Sequence, residues 1–244
     1  MKTIVIIQAR MGSTRLPGKV LMPLGEGTTV LANVVRRVQR AQLTHGVLVA
    51  TSDLSADSAI VEECERMGIP SFRGSEADVL DRYYQAARFC GAEAVVRVTA
   101  DCPLIDPALV DDTIREFLHR GADYASNISP RRYPRGLDNE VFTSAALERA
   151  WHEASQPHQR EHVTPYFYEH PEMFRIASVA SEADYGQYRW TLDTPEDLEL
   201  LRAIFRILPG AATCSWKDVL ALVQARPDLA ELNAGVVQKG VLAH

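Results

Sequence analysis

Cysteine is sparse in this sequence of 244 residues, and its four cysteines lie far apart. They are Cys64, Cys90, Cys102 and Cys214, with no Cys-x-x-Cys pair and no histidine beside them. Zinc sites need closer groupings of these ligands. We therefore expect reduced thiols in a cytoplasmic protein and no zinc site.

Long apolar runs are also absent. No stretch approaches the roughly 18 consecutive apolar residues that a membrane span requires. The apolar run after Lys2 leads directly into Arg10 and Arg15, which makes it too short for a secretory signal. We expect neither secretion nor a membrane partner.

A surplus of positive charge is missing as well. The chain has 26 lysines and arginines against 32 aspartates and glutamates, a formal net charge of -6. This balance argues against broad nucleic-acid binding, which usually requires a basic face. The local cluster Arg131 to Arg135 can still form a basic pocket. With 46% hydrophobic residues, 1–244 is expected to fold as a single domain.

The segment IVIIQARMGSTRLPGKVL, Ile4 to Leu21, resembles a phosphate-binding loop but lacks the Walker A pattern. Ser13 stands where the first glycine belongs, and Val20 stands where a magnesium-binding hydroxyl belongs. The phosphate chemistry must therefore be of another kind.

Alternating patterns organise the first half of the chain. Short β-branched runs predict buried strands that begin at Thr3, Gly46, Ala94 and Asp123. Apolar residues three or four apart predict helices over 30–41, 56–67, 78–89 and 107–118. This alternation favours a parallel sheet covered on both faces, with ligands at the carboxyl ends of its strands.

The second half is less regular. Its patterns predict a hairpin-like segment over 134–142, strands over 175–180 and 188–192, and helices over 144–154, 161–168, 195–208 and 216–225. The helix at Pro195 is the best marked, because Thr194 can cap it and Glu196 and Asp197 suit the positive end of its dipole.

The loop after the first strand concentrates positive charge. Its cations are Arg10, Arg15 and Lys19, and its Gly12 and Ser13 allow backbone N–H groups to approach an anion closely. Cations that surround such a turn can neutralise a polyphosphate. We interpret the loop as a grip for a nucleotide triphosphate, with a basic surface turn as the alternative.

Two aspartates follow predicted strands in distant parts of the chain. Asp101 stands in TADCPLIDP, and Asp193 stands in LDTPEDL. Mg²⁺ prefers one or two carboxylates together with water and substrate phosphates, so both residues are candidate metal ligands. The alternative is that each only begins a helix, although Asp106 already supplies the cap after Asp101.

The segment FRGSEADVLDRY, Phe72 to Tyr83, is the candidate lining for a nucleotide base. Arg73, Gly74 and Ser75 could offer donors and acceptors to a pyrimidine edge. A capped helix start explains the same residues equally well.

Taken together, ARMGSTRLPGK, TADCPLID and LDTPEDLE resemble the cytidylyltransferases that activate acidic sugars, including the CMP-KDO and CMP-sialic acid synthetases. YPRGLDNEVF and QREHVTPYFY narrow the resemblance to the group of spore coat polysaccharide biosynthesis protein F (SpsF). The resemblance spans about the first 200 residues, with the motifs in the family's order.

The resemblance implies a nucleotide-diphospho-sugar transferase fold, which is Rossmann-like and of GT-A type, with three α/β/α layers and a mixed central sheet. It implies that a sugar hydroxyl attacks the α-phosphate of CTP and releases pyrophosphate. Arg10, Arg15, Lys19 and Asp101 would be catalytic. The nucleotide would contact Ala9, Arg10, Gly12, Ser13, Arg15, Lys19, Arg73, Gly74, Ser75 and Asp101. Mg²⁺ would bind Asp101 and Asp193. Cys102 departs from the glutamate that some sugar-acid synthetases carry at its position.

The segment 130–185 is expected to bind the acceptor sugar and to take part in a homodimer. Arg135, Asp138, Glu140 and His162 are its candidate contacts, since arginine suits a carboxylate and carboxylates suit hydroxyl groups. His162 could instead lie at a subunit contact.

Two other functions remain open at this point. The acceptor could be a sugar phosphate, for which Arg131, Arg132 and Arg135 could supply a second anion pocket. The protein could also be a nucleotide-binding subunit without chemistry, although such a subunit would not need two separated metal acids.

Overall fold

A central sheet of seven strands organises the chain in a computed structural model, which describes residues 1–25 and 27–238. The strands are β1 (Thr3–Gln8), β2 (Val47–Ser52), β3 (Ser71–Gly74), β4 (Ala94–Thr99), β5 (Tyr124–Ser126), β6 (Glu140–Thr143) and β7 (Ile176–Ser178). Their order across the sheet is β3-β2-β1-β4-β6-β5-β7.

Strand direction makes the sheet mixed. The pairs β1–β2, β1–β4, β2–β3 and β5–β7 are parallel, whereas β6 runs antiparallel to both β4 and β5. The parallel sheet that the alternation favoured in the first half of the chain is therefore confirmed for β1 to β4, and the mixed sheet that the resemblance implied is confirmed by the antiparallel β6. Because Gln8 of β1 is in register with Thr99 of β4, the loops that follow these two strands meet at one edge.

Ten α-helices lie within the described residues. They are α1 (Val30–Val38), α2 (Ser58–Met67), α3 (Val79–Cys90), α4 (Pro107–Arg120), α5 (Ser144–Glu153), α6 (Pro157–His162), α7 (Pro165–Glu169), α8 (Pro195–Ile207), α9 (Trp216–Ala225) and α10 (Pro227–Glu231). None of these helices combines the length and apolar character that crossing a lipid bilayer requires.

Apolar side chains form a core on each face of the sheet. One core joins Val5, Val49 and Val96 to α1, α2 and α4, and the other joins Ile6, Leu48 and Val95 to α3, α5 and α7. Alternate side chains of a strand point to opposite faces, so each strand serves both cores. The three-layer α/β/α arrangement follows.

A third core attaches α8 and α9 to the edge where β1 and β4 end. Trp190, Leu201 and Trp216 are among its buried residues. The fully buried Arg37 of α1 fixes the same region, because its guanidinium donates to the carbonyls of Leu104, Ile105, Ala211 and Cys214 at 2.7 to 3.3 Å. This core holds the segment before α8 in place, so that Asp193 lies close to Asp101.

Several local expectations differ from the structure. The helix expected over 161–168 is two helices, because the backbone of Val163 has a φ of 72°. The strand expected over 188–192 is a single bridge between Arg135 and Arg189. The sequence patterns did not predict the short β3, because its segment SFRG has no apolar run. The cap residues Asp106 and Thr194 are confirmed, since each accepts a backbone hydrogen bond from its helix.

Glu140, expected to contact an acceptor sugar, lies inside the protein with 2% exposure. Its carboxylate pairs with Arg97 of the neighbouring strand and accepts a hydrogen bond from Tyr124 Oη at 2.6 Å. The pleat of β6 turns this side chain toward the interior, where a carboxylate needs such partners. Its position therefore indicates a structural ion pair.

Replacing Glu140 with alanine should lower the free energy of unfolding by about 3 to 5 kcal/mol, because Arg97 would keep a buried charge without its partner. Urea denaturation measures the change. Asp112→Ala is the matched control, since it removes an exposed pair with Arg115 and should cost less than about 1 kcal/mol. Equal costs in the two variants would contradict the assignment.

Candidate active site

A cavity of about 540 Å³ opens at the edge where β1 and β4 end. The predicted site residues that line it are Arg10, Ser13, Arg15, Lys19, Asp101, Arg135, Asp138, His162 and Asp193. The predicted residues that do not line it are Ala9, Gly12, Arg73, Gly74, Ser75 and Glu140. The structure thus joins the phosphate, metal and acceptor candidates in one place.

Lys19 lies at the centre of the site. Its Nζ donates to Asp101 Oδ2 at 2.6 Å, to Asp193 Oδ1 at 2.8 Å and to the carbonyl of Leu192 at 2.7 Å. Gly18, whose left-handed φ of 71° suits glycine, precedes a short 3-10 turn that begins with Lys19. One buried ammonium group therefore joins two carboxylates from distant parts of the chain.

Charge pairing outweighs burial in this cluster. Burial alone would lower the pKa of Lys19, but Asp101 and Asp193 raise it above its ordinary value. Burial would raise the pKa of Asp193, but Lys19, Arg189 and Arg15 lower it to about 2. The pKa of Asp101 is also lowered, against its burial, chiefly by Lys19. All three groups are therefore charged near neutral pH.

A second arginine, missed by the sequence reasoning, holds Asp193. Arg189 donates to Asp193 Oδ2 at 2.7 Å and to both carboxylate oxygens of the fully buried Asp197 at 2.9 and 3.0 Å. Asp197 also accepts from the backbone N–H of Asp193 at 2.9 Å. The T-P-E-D pattern marked Asp197 only as a helix-start residue, although its position four residues after Asp193 could have suggested this support.

The first loop is held in place by Asp57, which the sequence reasoning also missed. Its carboxylate accepts from the backbone N–H of Met11 at 2.7 Å and from Ser52 and Thr51 in β2. Asp57 is 2% exposed. Burial tends to raise its pKa, but these hydrogen bonds lower it below 3.8. A carboxylate thus fixes the backbone beside Arg10.

Arg10 and Arg135 reach the cavity without a hydrogen bond or ion pair from their side chains among the residues the structure describes. Burial lowers the pKa of Arg135, and the nearby Arg131 and Arg189 lower it further. Two unpaired guanidinium groups in one cavity mark it as a place for anions.

The side chains of Arg73 and Ser75, which were expected to contact the base, bind nearby parts of the protein. Arg73 is exposed in β3, and its guanidinium donates to the carbonyls of Ser52 and Leu54 at 3.1 and 2.7 Å. Ser75 Oγ accepts from the N–H of Asp78, so it serves the start of α3. The contacts of the base stay a prediction, as do those of Gly74, Ala9 and Gly12.

The acceptor candidates Arg135, Asp138 and His162 line the same cavity. Arg131 pairs with Asp138 through two hydrogen bonds of 2.7 and 3.0 Å. His162 precedes Val163, whose φ of 72° and ψ of -53° form a γ-turn in which Thr164 N–H donates to His162 O at 2.8 Å. Such a turn is strained for a β-branched residue, at a cost of about 1 to 3 kcal/mol. It brings His162 to the cavity wall.

Asp101 and Asp193 are the candidate ligands for a divalent ion at this site. Within the described ranges, no group of three or more histidines, cysteines, aspartates or glutamates comes together as a metal site. Asp101 and Asp193 nevertheless share one cation, Lys19, at 2.6 and 2.8 Å. Two carboxylates so close together fit Mg²⁺ when substrate phosphates and water supply the remaining ligands.

Comparison with known proteins agrees with this geometry. A family model described as cytidylyltransferase matches residues 4–230. The spore coat polysaccharide biosynthesis protein SpsF of Bacillus subtilis is 34% identical, covering 92% of this chain and 95% of SpsF. An uncharacterised protein of Methanocaldococcus jannaschii is 37% identical, covering 98% of this chain and 97% of its own.

Solved structures show the same relationship. A cytidylyltransferase from Leptospira borgpetersenii has a TM-score of 0.90 at 33% identity, covering 98% of this chain and all of its own. A CMP-2-keto-3-deoxy-manno-octonic acid synthetase complexed with CTP has a TM-score of 0.64 at 21% identity, covering 84% of this chain and 99% of its own. The second likeness concerns the fold alone.

The sheet and its structural neighbours define the nucleotide-diphospho-sugar transferase fold. The family match and the similarity to SpsF define the protein as a nucleotidyltransferase. The resemblance to the SpsF group is confirmed by the similarity to SpsF along most of the chain. The chain belongs to the cytidylyltransferase family.

Replacing Asp57 with asparagine should destabilise the protein by about 1 to 3 kcal/mol, because the amide cannot accept all of these hydrogen bonds. A carboxyl group with a lowered folded pKa stabilises the protein above its unfolded pKa, near 3.8, and this stabilisation is lost as pH falls through the folded value. Urea midpoints of both proteins across pH should therefore converge in acid. A deficit that does not depend on pH would contradict this role.

Proposed function

We propose that the protein transfers CMP from CTP to a hydroxyl group of an acidic sugar, a 3-deoxy-2-ulosonic or nonulosonic acid, and releases pyrophosphate. The observation that carries the proposal is the convergence of Lys19, Asp101 and Asp193 at the cavity. Asp101 lies 82 residues and Asp193 lies 174 residues from Lys19 in the chain. The product would serve surface polysaccharide or glycan synthesis, in keeping with the printed name of SpsF.

The triphosphate would bind at the side of the cavity formed by the first loop. Arg10 has no partner there among the described side chains, and Arg15 and Lys19 are held by Asp193 and by the two aspartates respectively. Displacement at phosphorus depends mainly on positioning and charge neutralisation. These three cations would hold the β- and γ-phosphates and stabilise the departing pyrophosphate.

Asp101 and Asp193 would hold Mg²⁺ with the nucleotide phosphates. When bound, the ion would neutralise charge on the triphosphate. Thr99 Oγ1 donates to Asp101 Oδ1 at 2.6 Å, and Arg189 donates to Asp193, so both carboxylates are held in orientation by the protein itself. The protein's own contribution is this fixed orientation.

Arg135 favours a carboxylate acceptor over a phosphate ester. Of the three arginines in the cluster, Arg131 is neutralised by Asp138, and the exposed Arg132 donates to the carbonyl of Glu182. Arg135 alone of these three lines the cavity without a partner. A single guanidinium matches the single charge of a sugar acid, whereas a phosphate dianion would call for a second cation.

Asp138 and His162 would contact hydroxyl groups of the same acceptor. Both line the cavity beside Arg135. The wider proposal treats 1–244 as one cytoplasmic domain in which 130–185 binds the acceptor and contributes to a homodimer. Sedimentation at several protein concentrations tests the dimer, and a monomer throughout would end that part.

Incubation with CTP, Mg²⁺ and a panel of sugar acids should release pyrophosphate. Sugar 1-phosphates form the second arm of the panel. Turnover with these acceptors alone would favour the alternative function, in which the acceptor is a sugar phosphate. Folded protein that binds CTP and turns over no acceptor would instead point to a binding subunit.

Replacing Asp101 with asparagine should reduce turnover about 100-fold or more, because charge stabilisation at the phosphates is lost. CTP binding, measured by calorimetry, should change little because the three cations remain. Asp53→Asn is the matched control, since Asp53 is exposed and lies outside the cavity lining. Equal activity of Asp101→Asn and the parent protein would remove Asp101 from the mechanism.

Replacing Arg135 with alanine should raise the acceptor KM about 10- to 100-fold, the usual worth of a hydrogen-bonded charge pair. The KM for CTP should stay within about twofold of the parent value. Arg132→Ala removes a neighbouring exposed arginine and should change neither. An unchanged acceptor KM in Arg135→Ala would exclude Arg135 as the carboxylate contact.

A further inference from the structure

The segment that follows α10 returns to the cavity. α10 ends at Glu231, and Gln238 is among the residues that line the cavity together with Arg135 and Asp193. The family model matches only as far as residue 230. A segment beyond the matched region therefore contributes to the wall of the site.

Asn233 anchors this segment. It is 5% exposed, and its Nδ2 donates to the carbonyl of Arg189 at 3.0 Å and to Asp197 Oδ1 at 2.8 Å. A buried amide with two such partners fixes the path of the chain that follows it. The segment thus docks on the same groups that hold Asp193.

Arg189 connects the segment to the reaction centre. Its Nη2 donates to Asp193, and its Nη1 donates to Gln238 Oε1. The backbone of Arg189 also forms a bridge with Arg135, since Arg135 N–H donates to Tyr188 O at 3.0 Å and Trp190 N–H donates to Arg135 O at 2.7 Å. Gln238 therefore lines the same cavity as Arg135, the arginine that the proposed function assigns to the acceptor carboxylate.

We propose that Gln238, positioned by the segment 233–238, forms part of the wall of the acceptor site and that its amide contacts hydroxyl groups of the sugar, which makes it a determinant of acceptor selectivity. The inference rests on the proposed function for the identity of the acceptor. A primary amide carries two N–H donors and an oxygen with two lone pairs, so it can contact sugar hydroxyl groups while its Oε1 accepts from Arg189. Arg135 would hold the charge of the acceptor, and Gln238 would read its hydroxyl pattern.

A purely structural role for Gln238 gives a different kinetic result. If Gln238 only steadied Arg189, its loss would disturb Asp193 and lower kcat for every acceptor alike. If it contacts the sugar, its loss raises the acceptor KM by different factors for acceptors with different hydroxyl arrangements. The division between KM and kcat therefore separates the two roles.

The test compares Gln238→Ala with the parent protein on the panel of sugar acids and sugar 1-phosphates. We expect the acceptor KM to rise about 5- to 10-fold, as the loss of one or two neutral hydrogen bonds predicts, with a changed order of preference among acceptors. The dissociation constant of CTP should stay within about twofold. Gln224→Ala, which changes an exposed glutamine of α9, is the matched control and should alter none of these values.

An acceptor KM that is unchanged in Gln238→Ala, or a uniform loss of kcat, would overturn the inference. Turnover with sugar 1-phosphates alone would end the acidic-sugar proposal, yet the same comparison of KM values would still decide the role of Gln238. The two failures are thus distinguishable.

Hydrogen exchange provides a measure that needs no acceptor. The backbone amides of Ala234 and Val236 donate to the carbonyls of Glu231 and Asn233. They should exchange at the same rate in the parent protein and in Gln224→Ala, and faster in Asn233→Ala, which removes the anchor. Equal exchange of these two amides in the parent protein and in Asn233→Ala would overturn the inference even if no acceptor were turned over.

Discussion

The ammonium group of Lys19 is the constraint on which the site depends. Burying this cation and two carboxylates costs solvation energy, which only close and complete pairing can offset. The structure supplies it with contacts of 2.6 to 2.8 Å to Asp101, Asp193 and the carbonyl of Leu192. This cluster ties the loop after β1, the loop after β4 and the segment before α8 into one unit. The same charges that stabilise the unit are those that a nucleotide and its metal ion would use.

Further carboxylates and arginines fix this cluster from outside. Asp197, fully buried, holds both Arg189 and the backbone of Asp193, while Asp57 holds the backbone N–H of Met11 beside Arg10. These groups do not need to touch a substrate. They limit how far Lys19, Asp193 and the first loop can move, and positioning is a large part of what phosphoryl transfer requires. The site is therefore preorganised by buried polar contacts between separate segments.

Charge is distributed unevenly across the cavity. Asp138 neutralises Arg131, and Arg135 remains without a hydrogen-bond or ion-pair partner among the described residues. Glu140 is adjacent to this group in sequence, but its carboxylate pairs with Arg97 and accepts a hydrogen bond from Tyr124 in the interior. Neighbouring charged residues therefore serve different purposes. Some of these charged residues lie in the core, some line the cavity and some face solvent. Those that line the cavity determine what kind of anion it can bind.

Local sequence patterns were sufficient to predict several elements. The apolar runs of β1, β2 and β4, the capped start of α8 and the cationic loop from Arg10 to Lys19 follow from periodicity, capping and charge, which act within a few residues. Other features emerge from the folded chain alone: Glu140 points inward, β6 runs antiparallel, and Arg189, Asp57 and Gln238 support or line the site. These outcomes depend on strand pairing, burial and contacts between residues far apart in the chain, and no local pattern contains the free energy of such contacts.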